Sequence, residues 1–178
     1  MLRSPTTISL ENFLAQPNIE SSPAWEFIDG QSLQKPMPTL FHSRVQRNLV
    51  NYINNRTDKF EAIQELRCLI PPYSPVPDIA VIAVEKIGDE DGPFPGAPDW
   101  IVEIRSPDQN TLDLQNKILH CLNQGTELAW LIDLNREQIW VWEGDNLPII
   151  YAGADILPDC GLGLELRAID VMAMKKQK

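Results

Sequence analysis

The sequence predicts an α/β fold in which a central mixed β-sheet is flanked by helices. Short apolar runs rich in β-branched residues alternate with stretches whose apolar residues recur every three to four positions, and segments rich in Gly and Pro separate them. The 178 residues are predicted to form one domain, residues 1–178, because domains cluster near about 100 to 150 residues. With 43% apolar and 22% charged residues, the composition is typical of an ordered globular protein.

The first elements are predicted to be a short helix and a hairpin. SLENFLAQ has apolar residues at helical spacing, with Thr7 or Ser9 as a possible N-terminal cap. AWEFIDG predicts a strand that leads into an Asp-Gly turn, and QSLQK predicts the returning strand. A two-stranded hairpin is therefore expected before the first long helix.

A long helix and three strands are predicted to follow. Between Ser43 and about Arg56 the apolar residues recur every three to four positions, which indicates an amphipathic helix that packs on a sheet. EAIQELRCLI predicts a strand, and the β-branched run PDIAVIAV is typical of the centre of a sheet. The Gly-, Pro- and acid-rich stretch after it predicts a loop, and DWIVEIRS predicts the next strand.

The C-terminal third predicts a helix, a second hairpin and a last turn of helix. Residues 106–125 contain a helical pattern, and Ser106 or Asp108 could cap its start. ELAWLIDL and QIWVWEG predict two aromatic-rich strands joined by a tight turn. The remaining segment predicts short irregular strands, followed by a turn of helix close to the C-terminus.

The charge of the chain disfavours one class of nucleic-acid-binding protein. A formal net charge of -10 disfavours a protein whose whole surface binds nucleic acid. The affinity for nucleic acid comes mainly from cations that neutralise phosphates. An enzyme that binds phosphates through metal ions can still be acidic, because the metals supply positive charge. Arg44, Arg47, Arg56 and Lys59 cluster around the predicted long helix, where they could follow a nucleic-acid backbone or form a solvated helix face.

Several other classes lack their usual motifs. Cys68, Cys121 and Cys160 are odd in number and show no CxxC spacing, so buried thiols are expected rather than a disulfide framework or a zinc site. No GxSxG, GxGxxG or GxxxxGK[ST] motif is present, so neither acyl transfer nor nucleotide binding is indicated. No apolar segment approaches the roughly 18 residues that span a bilayer, and the first residues lack a signal-peptide core. We therefore expect a cytoplasmic protein without a membrane partner.

Two acidic residues stand on the predicted central strands. Asp78 opens one apolar strand and Glu103 lies near the end of the next, so the two carboxylates can converge if these strands pair. Buried carboxylates are costly unless a cation accompanies them, and a divalent metal ion with its waters is the usual solution. Because side chains alternate along a strand, Ile101, Glu103 and Arg105 are predicted to share one face, with Trp100 on the other.

Lys117 borders the buried face of the helix that is predicted next. At about 100° per residue it lies near Leu114 and Cys121, so its stem can run along the core. Its ammonium could reach the strand of Glu103 and orient an attacking water or stabilise the charge of a phosphate transition state. A surface ion pair with Asp113, four residues earlier, is the alternative.

These residues match the pattern of a known family. The resemblance rests on WEFIDG, HSRVQRNL, VPDIAV and APDWIVEIRSP, followed by DLQNKILHCLNQGTELAWLIDL. They resemble the PD-(D/E)XK nuclease superfamily, and within it the Uma family of restriction-endonuclease-like proteins. The resemblance spans roughly residues 9 to 172 and implies a restriction-endonuclease-like core. It also implies that Asp78 and Glu103 bind Mg²⁺ or Mn²⁺.

The resemblance implies roles for further residues. The superfamily carries its lysine two residues after the glutamate, where this chain has Arg105, and an arginine does not give up a proton near neutral pH. Proteins of the Uma type carry a lysine on the following helix, which Lys117 matches, and Arg105 would support it by stabilising phosphate charge. Glu26 matches an acid that could bind a second metal ion or a metal-bound water, with a solvated strand residue as the alternative. His42 matches a position that could contact phosphate or water, with helix capping as the alternative.

The sequence and the resemblance together predict a Mg²⁺-dependent endonuclease that hydrolyses DNA, with Asp78, Glu103, Lys117 and Arg105 in catalysis. A homodimer is expected by analogy, because two active sites are needed to cut two strands. Two alternatives stay open. One is a non-catalytic binding or regulatory module on the nuclease fold, which has lost turnover through Arg105. The other is an interaction protein whose tryptophans are exposed and assemble a complex.

Overall fold

A six-stranded mixed sheet with helices on both faces forms the centre of the protein. The computed structural model describes residues 8–144 and 147–178. The helices are α1 (Leu10–Leu14), α2 (Leu40–Asn54), α3 (Thr111–Asn123) and α4 (Ala168–Ala173), with 3₁₀ turns at Val84–Lys86 and Met174–Lys176. The strands are β1 (Trp25–Ile28), β2 (Gln31–Gln34), β3 (Phe60–Gln64), β4 (Ile79–Ala83), β5 (Trp100–Ile104), β6 (Leu128–Asp133), β7 (Gln138–Trp142) and β8 (Ile149–Ala152).

The strand order confirms the predicted α/β class with a mixed sheet. The sheet runs β3-β4-β5-β6-β7-β8, and β1 and β2 form a separate hairpin. Strands β5 and β6 are parallel, whereas the other neighbours in the sheet are antiparallel. Helix α3 is therefore the crossover that a parallel pair requires. No helix within the described ranges is long and apolar enough to cross a membrane.

The two faces of β5 pack as the alternation of its side chains predicts. Trp100 and Val102 belong to a core cluster with Leu49 of α2. Ile101 belongs to a second cluster with Ile118 of α3 on the opposite face. Helix α3 thus lies over the face toward which Glu103 is predicted to point.

Two predicted boundaries are wrong. Helix α2 begins at Leu40 rather than at Ser43, because the side chain of Thr39 caps it by accepting a hydrogen bond from the first turn. The strand predicted from EAIQELRCLI ends at Gln64, because Glu65 adopts a left-handed backbone conformation with a φ of 51°. The rest of that segment runs as a loop beside the hairpin.

The helix caps were partly predicted. Asn110 caps α3 by accepting a hydrogen bond from the first turn, so the prediction of Ser106 or Asp108 is wrong. Asn110 directly precedes the helix, which brings its side chain within reach of those amides. Ser9 caps α1, as one of the two predicted possibilities, and Thr7 lies outside the described residues.

The tryptophans of the second hairpin belong to the core. Trp130 and Trp142 are buried, and Trp140 is half-buried. This burial contradicts the hypothesis of an interaction protein with exposed tryptophans, because large aromatic side chains here supply packing. The three cysteines are free thiols. Cys68 and Cys121 are buried as predicted, whereas Cys160 is only half-buried.

Arg67 ties the β1–β2 hairpin to the rest of the protein. Its buried guanidinium donates hydrogen bonds to the backbone oxygens of Ile19 at 3.1 Å and Trp25 at 2.7 Å, and to Ser74 Oγ at 3.0 Å. Phe27 of β1 also exchanges backbone hydrogen bonds with Ser74, at 3.1 and 2.8 Å. These contacts hold the hairpin beside the segment that leads into β4.

Candidate active site

Three buried carboxylates converge where the central strands β4 and β5 adjoin. Ile79 of β4 pairs with Val102 of β5, so Asp78 and Glu103 lie side by side at the ends of antiparallel neighbours. Glu26 approaches from β1 of the hairpin, and all three acids are buried. The structure thus brings together acids that lie far apart in the sequence.

Asp78 is held by donors from three different parts of the chain. Its Oδ1 accepts a hydrogen bond from Lys35 Nζ at 2.8 Å. Its Oδ2 accepts one from the backbone N–H of Ile104 at 2.7 Å and lies 3.1 Å from His42 Nε2. Burial alone would raise the pKa of Asp78, but Lys35 and His42 hold that pKa below its usual value. Asp78 is therefore a fixed, ionised carboxylate.

Lys117 lies between the other two acids. Its Nζ is 2.9 Å from Glu26 Oε1 and 2.9 Å from Glu103 Oε1. Its side chain is only 3% exposed, so it is not the surface partner of Asp113 that the alternative interpretation required. Burial alone would lower the pKa of Lys117, but Glu103 and Glu26 raise it above its usual value. The ammonium therefore stays charged.

Glu103 has a buried oxygen with unused hydrogen-bonding capacity. Its Oε1 faces Lys117 at 2.9 Å, but the geometry is not that of a hydrogen bond, and no other residue of the described ranges donates to it. Burial raises the pKa of Glu103 to about 8 against the attraction of Lys117, and the negative charge of Asp78 adds to the rise. A further cation beside Glu103 would give its Oε1 a partner and would favour the ionised form of the carboxylate.

Lys35 is a central residue of the site that the sequence interpretation missed. It is buried, and its Nζ donates to Asp78 Oδ1 and Glu65 Oε2, each at 2.8 Å, and to the backbone oxygen of Val76 at 2.7 Å. Burial alone would lower the pKa of Lys35, but the carboxylates around it raise it. A signal was available, because Lys35 follows β2 directly and strand alternation places it on the hairpin face of Glu26.

Helix α2 contributes a polar pair to the site. His42 and Gln46 lie one helical turn apart, and Gln46 Nε2 donates to the backbone oxygen of Asp78 at 2.7 Å and to Glu65 Oε1 at 2.9 Å. Because Thr39 supplies the cap of α2, the imidazole of His42 is free to face Asp78. Gln46 was missed, although its spacing from His42 gives its direction.

Arg105 lies outside this group of charges. Its Nη1 is 3.2 Å from Asp133 Oδ2 at the end of β6, and its backbone N–H donates to the carbonyl oxygen of Ile132 at 2.9 Å. Among the ion pairs of the described residues, Asp133 is the only acid that Arg105 contacts. The structure therefore brings Lys117, and not Arg105, to the carboxylates.

Two residues near the site, His120 and Asp99, have structural contacts. His120 Nε2 lies 2.8 Å from the backbone oxygen of Ile70, and its ring stacks on that of Tyr73. Asp99 Oδ2 accepts a hydrogen bond from the backbone N–H of Ala83 at 2.8 Å, at the turn into β5. Neither contact belongs to the group of converging acids.

Two clefts lead to the buried charges and meet at Lys35. One has a volume of about 230 Å³, and Asp78 and His42 are among its lining residues. The other has a volume of about 370 Å³, and Glu26 and Lys117 are among its lining residues. Lys35 lines both clefts. A polar ligand can therefore approach the acids from either side of this lysine.

The donor chemistry of the site fits a hard divalent cation. Mg²⁺ and Mn²⁺ prefer carboxylate oxygens, and the three acids present one buried oxygen, Glu103 Oε1, that still lacks a donor. In the described part of the chain, no three His, Cys, Asp or Glu side chains are already arranged around an ion position. The ammonium groups of Lys35 and Lys117 lie against the acids instead.

The fold and the site together define the class of protein. A mixed sheet with buried acids at adjoining strand ends, and a lysine from the following helix against them, is the arrangement expected of a restriction-endonuclease-like protein. The chain belongs to the Uma2 family, described as "Putative restriction endonuclease", whose profile matches residues 10–167. This match confirms the resemblance inferred from the sequence.

A solved structure supports the same assignment. The chain is similar to a protein described as a "putative nuclease belonging to DUF820" from Anabaena variabilis ATCC 29413. The two share 35% sequence identity and a TM-score of 0.86, over 94% of this chain and 99% of that chain. A comparison with curated proteins finds no match.

Proposed function

We propose that this chain is a metal-dependent endonuclease that hydrolyses DNA phosphodiester bonds. The main support is the convergence of Asp78 and Glu103, from neighbouring strands, on buried lysines beside open clefts. The descriptions of the family and of the similar structure, which refer to nucleases, favour the same reaction class. A Mg²⁺ or Mn²⁺ ion held by Asp78 and Glu103, with Glu26 accessory, would supply Lewis acidity toward the scissile phosphate.

The residues of the chain orient the substrate and stabilise its charge. Lys117 presents its ammonium between Glu26 and Glu103, where it can donate a hydrogen bond to the attacking water or to a phosphate oxygen. His42 lies beside Asp78 at the first cleft, where it can contact a phosphate oxygen or a water. We assign Arg105 only a supporting role in stabilising phosphate charge, because its side chain pairs with Asp133 and not with the three carboxylates.

A non-catalytic binding or regulatory module is the second candidate function. It is favoured by Arg105, which stands where the superfamily carries its lysine and does not reach the three carboxylates. Such a module would bind DNA without hydrolysing it. We favour the enzyme because Lys117 supplies a buried cation at the acids from a different element.

Nicking of plasmid and single-stranded DNA in Mg²⁺ separates the two functions. We expect activity in the wild type and losses of about 100-fold or more in Asp78→Ala and Lys117→Met, because charge stabilisation is removed. Glu61→Ala and Lys176→Met remove exposed charges of the same types and serve as controls. Arg105→Ala should retain most activity.

Two results would contradict this assignment. DNA binding by the wild type without any cleavage in Mg²⁺ or Mn²⁺ would favour the regulatory module. Full activity in Lys117→Met together with loss of activity in Arg105→Ala would mean that Arg105, two residues after Glu103, is the catalytic cation.

We also propose that residues 1–178 form one domain and that two copies pair as a homodimer, since cutting both strands requires two active sites. Light scattering of the purified protein should give twice the 20.2 kDa mass of one chain. The mass of a single chain at the concentrations used for cleavage would contradict the dimer.

A further inference from the structure

Lys35 has no part in the proposed reaction, although it lies at the centre of the site. Its Nζ donates to Asp78 Oδ1, Glu65 Oε2 and the backbone oxygen of Val76, at 2.7 to 2.8 Å. An ammonium group has three N–H donors, so all of them are used. The ammonium of Lys35 is therefore bound to Asp78 Oδ1 and has no N–H left for another acceptor.

The site as a whole has more negative than positive side chains. Four carboxylates face two ammonium groups: Glu26, Glu65, Asp78 and Glu103 against Lys35 and Lys117. When the four carboxylates are ionised, two negative charges are left over. One divalent cation balances that surplus, but it must share the acids with ammonium groups that are already in place.

The two lysines differ in how they are enclosed. Lys117 lies within α3, between the buried residues Leu114 and Ile118. Lys35 is the only buried residue between positions 31 and 40, and its neighbours in the chain on both sides are exposed. Lys35 lines both clefts, whereas Lys117 lines one of them. Of the two ammonium groups, that of Lys35 is therefore the more able to reach solvent by a change in its own side chain.

We propose that Lys35 is a tethered competitor of the divalent metal ion at Asp78, an inference that rests on the proposed function. The ammonium of Lys35 lies 2.8 Å from Asp78 Oδ1. If a metal ion also bound Asp78, the two cations would share one carboxylate and their positive charges would repel each other. Metal binding therefore requires Lys35 to leave Asp78. Released into the cleft, Lys35 gains a new acceptor when a nucleic-acid phosphate is present.

Binding of Mn²⁺ in the absence of DNA tests the competition. Followed by calorimetry, Lys35→Met should bind Mn²⁺ at least about tenfold more tightly than the wild type, because the competing charge is gone. Lys35→Arg keeps the charge and should remain within about threefold of the wild type. Lys59→Met removes an exposed lysine and should not change the affinity.

A second measurement uses the wild-type protein and does not depend on how the variants fold. Lysine acetylation, read by peptide mass spectrometry, should leave Lys35 protected without metal and make it reactive in saturating Mg²⁺ or Mn²⁺. Lys117 should stay protected in both conditions, because its ammonium remains paired with Glu26 and Glu103. Lys59 should react in both, because it is exposed.

The outcomes separate this inference from the proposed function. If the wild type binds Mn²⁺ and Lys35→Met binds it no more tightly, or Lys35 stays protected with metal bound, the competition is overturned and the metal site stands. If neither the wild type nor Lys35→Met binds Mn²⁺, the proposed metal-dependent function and the competition are both overturned.

Discussion

The charges of the candidate active site come from two regions that hold their residues in different ways. Glu103 lies in β5, Lys117 lies in α3, and Asp78 directly precedes β4. Side chains of these elements are buried in the two core clusters. Glu26 and Lys35 come from the β1–β2 hairpin, which is not part of the six-stranded sheet. Residues of the core clusters therefore flank two acids and one cation, whereas the remaining acid and the second cation lie on an element outside the sheet.

The difference predicts which residues are fixed and which can move. A charge embedded in a packed helix can leave its partners only if the core rearranges. A charge at the end of a hairpin strand can leave by a change of rotamer. The permanent cation of the site is therefore expected on α3, and the displaceable one on the hairpin.

The largest effect on stability is expected from removing Lys117. Lys117→Met leaves Glu26 and Glu103 buried without their counter-charge, and breaking a buried pair costs about 3 to 5 kcal/mol. Lys35→Met should cost about 1 to 2 kcal/mol, because Asp78 retains two other contacts of its carboxylate. Urea unfolding of both variants measures the difference, and equal costs would contradict the distinction between the regions.

A smaller and more local effect is expected from removing Arg67. Arg67→Met leaves the half-buried backbone oxygens of Ile19 and Trp25 without this donor, at a cost of about 2 kcal/mol. Hydrogen exchange should become faster in residues 19–35 and stay unchanged in β4 to β6. Arg136→Met, in the exposed turn before β7, is the matched control.

A uniform increase of exchange across the sheet would mean that Arg67 stabilises the whole fold. In that case the hairpin and the sheet would form one cooperative unfolding unit.

The fold was predictable where local patterns coincide with burial. Strands β4, β5 and β6 are short apolar runs, and α3 has a clear helical period, so these elements could be predicted from the sequence. The segment after Gln64 was misread as a strand because Cys68 and Ile70 are apolar and buried. These two residues form only isolated β-bridges and belong to no strand. No local sequence pattern predicts the left-handed backbone conformation of Glu65, which ends the strand.

Some site residues could be predicted from neighbouring strands, whereas others depend on contacts between distant parts of the chain. Asp78 and Glu103 could be placed together because adjacent strands in the sequence are often adjacent in the sheet. Lys35 could not be found this way, because its partner Asp78 lies 43 positions away in a different sheet unit. Arg105 was assigned to the site from the motif and from strand alternation, which places it on the face of Glu103. Its pairing with Asp133 could be seen only once the register of β5 against β6 was known.

A crystal structure with Mn²⁺, located by its anomalous scattering, tests the central claim most directly. The account predicts an ion within about 2.5 Å of carboxylate oxygens of both Asp78 and Glu103, with Lys117 still at Glu103 and Lys35 turned away from Asp78. An anomalous map without a peak at these acids, with Lys35 still bound to Asp78, would contradict it.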